Sequence, residues 1–114
     1  MAIWETKHDN LIELIINDQN FDIKIDGTIW SNRPFVGRGI LQNFRRMDRY
    51  GSNKKYLVVA YRIDKSKHTA PLLLVHRIIY RKFIGPLDDE LTVNHKDGNK
   101  INNKPENLEW KRTN

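Results

Sequence analysis

At 114 residues and 13.6 kDa the chain fits one ordinary domain and leaves no room for a second independent core. Hydrophobic residues at 39%, with three Trp, four Tyr and four Phe, provide a folded core and exclude wholesale disorder. Cysteine is absent, which removes disulfide frameworks, thiol catalysis and thiolate zinc sites, so any metal must be held by oxygen or imidazole. No apolar run approaches the roughly 20 residues of a bilayer span. The amino terminus also lacks a basic stretch leading into an apolar one, so membrane insertion and Sec-type secretion are set aside and a cytoplasmic protein is expected.

The net charge of +6, with pI near 9.7, is unevenly spread. Residues 1–31 carry two bases against six acids, residues 32–63 eight bases against one acid, and residues 64–114 ten bases against seven acids. The middle is therefore a cationic belt of Arg33, Arg38, Arg45, Arg46, Arg49, Lys54, Lys55 and Arg62. A polyanion is its natural partner, because each phosphate neutralised releases condensed counterions. Charge alone serves a solvated basic face equally well.

In chain order, Leu11 to Ile16 after Asp9 and Asn10 predicts a short amphipathic helix with an N-cap, although a buried strand fits nearly as well. Phe21, Ile23 and Ile25 alternate with polar residues, and Asp26-Gly27 then turns the chain into Thr28-Ile29-Trp30, which predicts a β-hairpin. Residues 32–53 read as a long loop with one helical turn around Leu41 to Met47. Tyr56 to Ile63 and Pro71 to Val75 predict a second hairpin across a polar turn. Val75 to Ile84 has helical spacing and is stopped by Gly85-Pro86. Leu91 to His95 then reads as a strand, Lys96 to Asn99 as a turn, Asn103 with Glu106 as a capping box, and Leu108 to Arg112 as an extended end.

Chemistry concentrates in the last third. Ser31, Ser52 and Ser66 lack a nucleophile-elbow context, and no phosphate-cradling glycine motif occurs. His95, at a strand end beside Asn94 and ahead of Asp97-Gly98, suits metal-assisted hydrolysis of a phosphodiester. There an imidazole takes a proton from water while a hard cation stabilises charge on the phosphate. An asparagine carbonyl accepting from Nδ1–H would fix the ring and leave Nε2 as the base. A structural hydrogen-bonding histidine fits the spacing too.

The runs Val75 to Gly85, Val93 to Lys100 and Asn102 to Trp110 together resemble the HNH, or ββα-metal, endonucleases of phage and intron-homing type, over about residues 72–112. The resemblance implies an α+β single domain of β-hairpins and an amphipathic helix, ending in a nuclease core that lacks its last helix. Residues 1–70 would supply amino-terminal hairpins and a basic DNA-contacting region, and residues 71–114 the nuclease core. It further implies that His95 is the general base, that Asn107 is the middle asparagine and orients His95, and that Asn94 stands where a metal ligand, often aspartate, is found. A neutral amide holds Mg²⁺ less strongly than a carboxylate. The third motif residue would fall about nine positions beyond Asn107, after Asn114, so a truncated form of a longer nuclease is expected.

Around these, His76 is expected to bond backbone or phosphate, Asp97 to serve either as an outer carboxylate or as a turn residue, Asn103 as an N-cap, and Arg77 to touch DNA phosphate. The implied cofactor is Mg²⁺, with Mn²⁺ as its substitute. The partner would be double-stranded DNA, met by a monomer or a homodimer in a bacterial host cell, as for a phage-encoded enzyme. The alternative from another class is a DNA-binding module of the same descent without cleavage. An RNA-binding protein rests on charge alone.

Overall fold

The computed structural model describes residues 7–37, 39–42, 44–51, 55–64, 66–67, 69–88 and 90–112. Arg38 and Lys54 of the basic belt lie outside the described residues.

The chain opens with α1 (Asp9–Ile16), which buries Ile12 and Ile15. No side chain caps its first turn; the backbone carbonyl of His8 accepts from Leu11 N at 2.9 Å instead. Asp9, expected at the cap, is committed elsewhere. Its carboxylate takes a two-pronged contact from Arg77, with Nε to Oδ1 at 2.8 Å and Nη2 to Oδ2 at 2.6 Å.

The predicted first hairpin forms as β1 (Phe21–Ile23) and β2 (Ile29–Ser31), paired Phe21 to Ser31 through Ile23 to Ile29. Its turn is closed by Gly27 N to Lys24 O at 3.0 Å, with Gly27 at φ +88°, a conformation that only glycine adopts without strain. The expected helical turn around Leu41 to Met47 does not form. Short strands form instead: β3 (Phe35–Gly37), β4 (Ile40–Gln42), β5 (Arg45–Arg46) and β6 (Arg49–Tyr50). β3 and β4 make a hairpin around Gly39 at φ +77°, and β5 joins β2 through Trp30 opposite Arg46. Glycine turns and cross-strand pairing thus outweigh the weak helical preference of the arginine-rich stretch.

The second predicted hairpin is β7 (Leu57–Ala60) with β8 (Leu72–Leu74), and β6 completes a three-stranded sheet along β7. β8 runs directly into α2 (Val75–Phe83). Val75, Ile78 and Ile79 are fully buried there, Arg81 and Lys82 lie in the last turn where the helix dipole favours cations, and Gly85 N closes the end on Tyr80 O at 3.0 Å. A two-stranded sheet of β9 (Leu91–His95) and β10 (Leu108–Arg112) follows, paired His95 to Leu108 through Leu91 to Arg112. A single 3₁₀ turn, Pro105–Asn107, leads into β10.

One apolar core joins both halves of the sequence, with Ile12, Ile29, Val59, Ile79, Val93 and Leu108 in the same cluster. Arg77 threads this core at 0% exposure and ties three elements together: it grips Asp9 of α1 from α2 and donates from Nη1 to Leu91 O of β9 at 3.0 Å. No helix among the described residues is long and apolar enough to cross a membrane.

Candidate active site

Alternation along β9 turns Val93 and His95 to the core and Asn94 to the opposite face. His95 is 5% exposed. Its ring lies 5.1 Å from that of His76, at the start of α2, and 6.3 Å from Tyr56, just before β7. Tyr56 and His76 are themselves 5.2 Å apart, and Lys100 Nζ sits 5.7 Å over the Tyr56 ring. His76 is therefore a buried wall of the histidine site.

The ring of His95 is fixed by Asn103. Nε2 lies 2.7 Å from Asn103 Oδ1, with both residues buried. An amide oxygen can only accept, so an Nε2–H facing Asn103 Oδ1 would leave the basic lone pair on Nδ1. The ring's partner is Asn103, where Asn107 was expected. Asn103 is no N-cap: Lys104 occupies that position, and the 3₁₀ turn has no side-chain cap. Asn103 Nδ2 is buried without an acceptor among the described residues, a cost of about 1–3 kcal/mol in a loop this short.

Asn107 does not touch the histidine ring. Its Nδ2 donates to Asp97 Oδ1 and to Asn102 O, each at 2.9 Å, and its Oδ1 accepts from Asp97 N at 3.2 Å. Its backbone carbonyl also accepts from Lys96 N at 2.7 Å. Asn107 thus staples the loop between β9 and β10 and acts on His95 only through the loop that carries Asn103. Asp97 accepts in addition from Asn99 N at 2.8 Å and Asn102 Nδ2 at 3.0 Å. The Asn102 amide, then the Asn99 N–H and the Asn107 amide, hold its carboxyl below the usual carboxylate range.

The first hairpin reaches this loop. Gly27 is buried at the hairpin tip, where a Cβ would lie 2.5 Å from the Asn103 carbonyl carbon and 2.6 Å from its oxygen. Only a residue without a side chain lets β1 and β2 seat the backbone of Asn103. On the outer face of the small sheet, Asn94 stands across from Glu109 and donates to its Oε1 at 3.2 Å. Both carry side-chain oxygens next to the histidine strand. Among the described residues no group of three or more His, Asp or Glu converges as a metal site.

The belt is mixed in its engagement. Arg33, Arg46, Arg49, Lys55 and Arg62 are exposed and Arg45 is partly buried. Arg46 is held by Asp48, Nη2 to Oδ2 at 2.8 Å, which raises the guanidinium pKa further; Asp48 is buried and also accepts from Ile29 N at 3.0 Å. Arg77 does not belong with these residues, because a fully buried guanidinium with its donors spent on Asp9 and Leu91 cannot reach a phosphate. Gly27, Tyr56 and Glu109 were not singled out by sequence as partners of the site, and Asn103 was expected only as an N-cap. Their neighbours are eight to dozens of residues away, and no local pattern marks such contacts.

Residues 73–113 match the family model described as HNH endonuclease. The chain is 32% identical over 84 residues to an uncharacterized HNH endonuclease of Acanthamoeba polyphaga mimivirus, a match that covers 72% of this chain and 24% of that protein. The structure superposes on that of the HNH homing endonuclease I-HmuI, from work on its DNA binding and cleavage, with a TM-score of 0.57 and 23% identity over 83% of this chain and 48% of that one. The chain therefore spans about a quarter of the length of the viral relative and about half of the solved chain. Residues 73–113 are thus similar to the HNH endonucleases, and the α+β fold that carries them is similar to that of I-HmuI.

Proposed function

We propose that the chain hydrolyses phosphodiester bonds of double-stranded DNA in a metal-dependent reaction, with His95 as the general base. The observation that carries this reading is the buried 2.7 Å contact between His95 and Asn103 inside the segment that matches the HNH endonucleases. Nε2–H is held by the amide, so Nδ1 is the nitrogen that takes a proton from the attacking water. At 5% exposure the ring meets water only when the Tyr56 side of its surroundings opens. Asn107 and Asp97 keep that loop in one conformation, and Gly27 seats it against the first hairpin.

Asn94 and Glu109 supply oxygen donors of the kind Mg²⁺ or Mn²⁺ takes, and two protein oxygens completed by water suit a cation that dehydrates reluctantly. When bound, such an ion would stabilise negative charge developing on the phosphate and the leaving oxygen. The exposed residues of the belt, Arg33, Arg49, Lys55 and Arg62 foremost, position the duplex by phosphate contacts. One histidine site per chain gives a nick from a monomer or paired nicks from a homodimer. The setting proposed is the cytoplasm of a bacterial host, with the gene carried by a phage.

Supercoiled plasmid incubated with Mg²⁺ or Mn²⁺ tests the reading. Nicking by the wild type that falls more than about 100-fold in His95→Ala is the expected result, and nicking that persists in the variant overturns it. A second reading, a DNA-binding module without cleavage, is favoured by the buried ring and by the neutral amide at Asn94. It requires plasmid retention without nicking in both proteins.

A further inference from the structure

Away from the histidine site, the two three-stranded sheets meet at a cleft of about 710 Å³. Three arginines from different elements line it: Arg33 after β2, Arg45 on β5 and Arg62 after β7. Beside them lie Phe21 and Tyr61, packed edge to face with ring centroids 5.5 Å apart at 66°. The Tyr61 hydroxyl donates to Asp18 Oδ2 at 2.9 Å, which fixes the ring. Burial first and this carboxylate second push the phenol up to about 12, so it stays neutral at any assay pH.

A duplex is itself convex and too wide to enter a recess of this size, and it keeps its bases stacked inside. A concave site that joins cations to aromatic rings matches a different shape of the same polymer, a nucleotide whose base has left the stack. We propose that this cleft binds one unstacked nucleotide of a DNA strand, its phosphate against Arg33, Arg45 and Arg62 and its base against Phe21 and Tyr61. This rests on the reading of DNA as the partner and adds to it a strand-opening contact remote from His95. Asp18 is the one carboxylate in the lining, and its oxygens are already taken by the Tyr61 hydroxyl and by Asn20 N at 2.9 Å, which lowers its repulsion of a phosphate.

The test uses the whole chain in EDTA, so that cleavage does not intervene, with fluorescence anisotropy on a short oligothymidylate and on a short blunt duplex. Phe21→Leu keeps apolar volume and removes the stacking ring; Ala70→Leu narrows the cleft from a surface turn and leaves every arginine in place. Each is expected to weaken the single strand about 5-fold or more while duplex affinity changes less than about 2-fold. In the wild type, the ring protons of Phe21 and Tyr61 should shift upfield and saturate on titration with oligothymidylate, a readout independent of either variant's folding. Equal loss on both DNAs, no loss on the single strand, or unmoved ring signals overturns the inference. Duplex binding by the wild type without single-strand binding removes the cleft and leaves the proposed function standing, whereas absence of binding to either DNA removes both.

Discussion

The loop from His95 to Asn107 and the belt from Arg33 to Arg62 are both rich in polar groups, yet they use them in opposite ways. In the loop, Asp97, Asn102, Asn103, Asn107 and His95 satisfy one another within a few ångströms. In the belt, Arg33, Arg46, Arg49, Lys55 and Arg62 face solvent, and Arg46 is held by a buried carboxylate. Polar side chains that bond each other fix a geometry, whereas those left toward water remain available to a ligand. By this criterion the loop is the positioning device and the belt is the contact surface. Arg77 marks the boundary, since it has the residue type of the belt and the engagement of the loop.

The largest test of this division is therefore Arg77→Met. Removing the guanidinium leaves the Asp9 carboxylate, 22% exposed, without its counter-ion and breaks the link from α1 through α2 to β9. The expected loss is about 3–5 kcal/mol of stability in urea unfolding, with DNA affinity per folded molecule unchanged. A variant of normal stability and weakened DNA binding would return Arg77 to the contact surface. Next in size is Gly27→Ala, which forces a β-carbon at positive φ onto the Asn103 backbone. The expected cost is about 2–3 kcal/mol. Nicking should fall further than stability accounts for, and a loss in proportion to unfolding alone would mean that the hairpin tip does not seat the histidine loop.

The same division explains what could be read from the sequence. Phe21 to Trp30, Tyr56 to Val75 and Val75 to Ile84 were legible as two hairpins and a helix, because alternation, turn residues and helical spacing are local signals. His95 at a strand end and Asn107 at the entry to the next strand were legible for the same reason. Within the loop expected over residues 32–53, the helical turn around Leu41 to Met47 gave way to strands, since β4, β5 and β6 are two or three residues long and owe their extended form to partners in β3, β2 and β7. Asn103, expected as an N-cap, is the amide that faces His95, and Asn107, expected there, bonds Asp97 and Asn102 instead, because spacing within one asparagine-rich loop cannot tell which amide turns inward. Arg77 was misassigned because charge counts carry no burial.

Within the loop, Asn107→Ala probes the staple directly. It removes two donations and one acceptance from a residue 9% exposed, and about 1–2 kcal/mol of stability should be lost. Asn103→Ala should cost less stability, because one of its amide groups is already without a partner, yet it should lower nicking by about 10–100-fold as the histidine loses its fixed tautomer. Equal effects of the two variants on nicking and on unfolding would dissolve the distinction between stapling the loop and holding the ring.

The smallest effect is the pH dependence of the loop. The Asp97 carboxyl is held below the usual carboxylate range by the Asn102 amide first, so its contribution is fully present above that range. It disappears as pH falls through the lower folded pKa, where both states bind the proton. Asp26 and Asp64 are lowered too, by their bonds to Thr28 and Ser66, so acid sensitivity of the wild type alone does not isolate the loop. The difference between wild type and Asp97→Asn does, because the other two carboxylates are common to both. That difference should be constant from neutral pH down to about pH 5 and shrink below pH 4, read from urea midpoints. A gap that persists unchanged at pH 2 would mean that the ionised carboxylate is not what holds the asparagines together, and that the loop owes its shape to backbone bonds such as Lys96 N to Asn107 O.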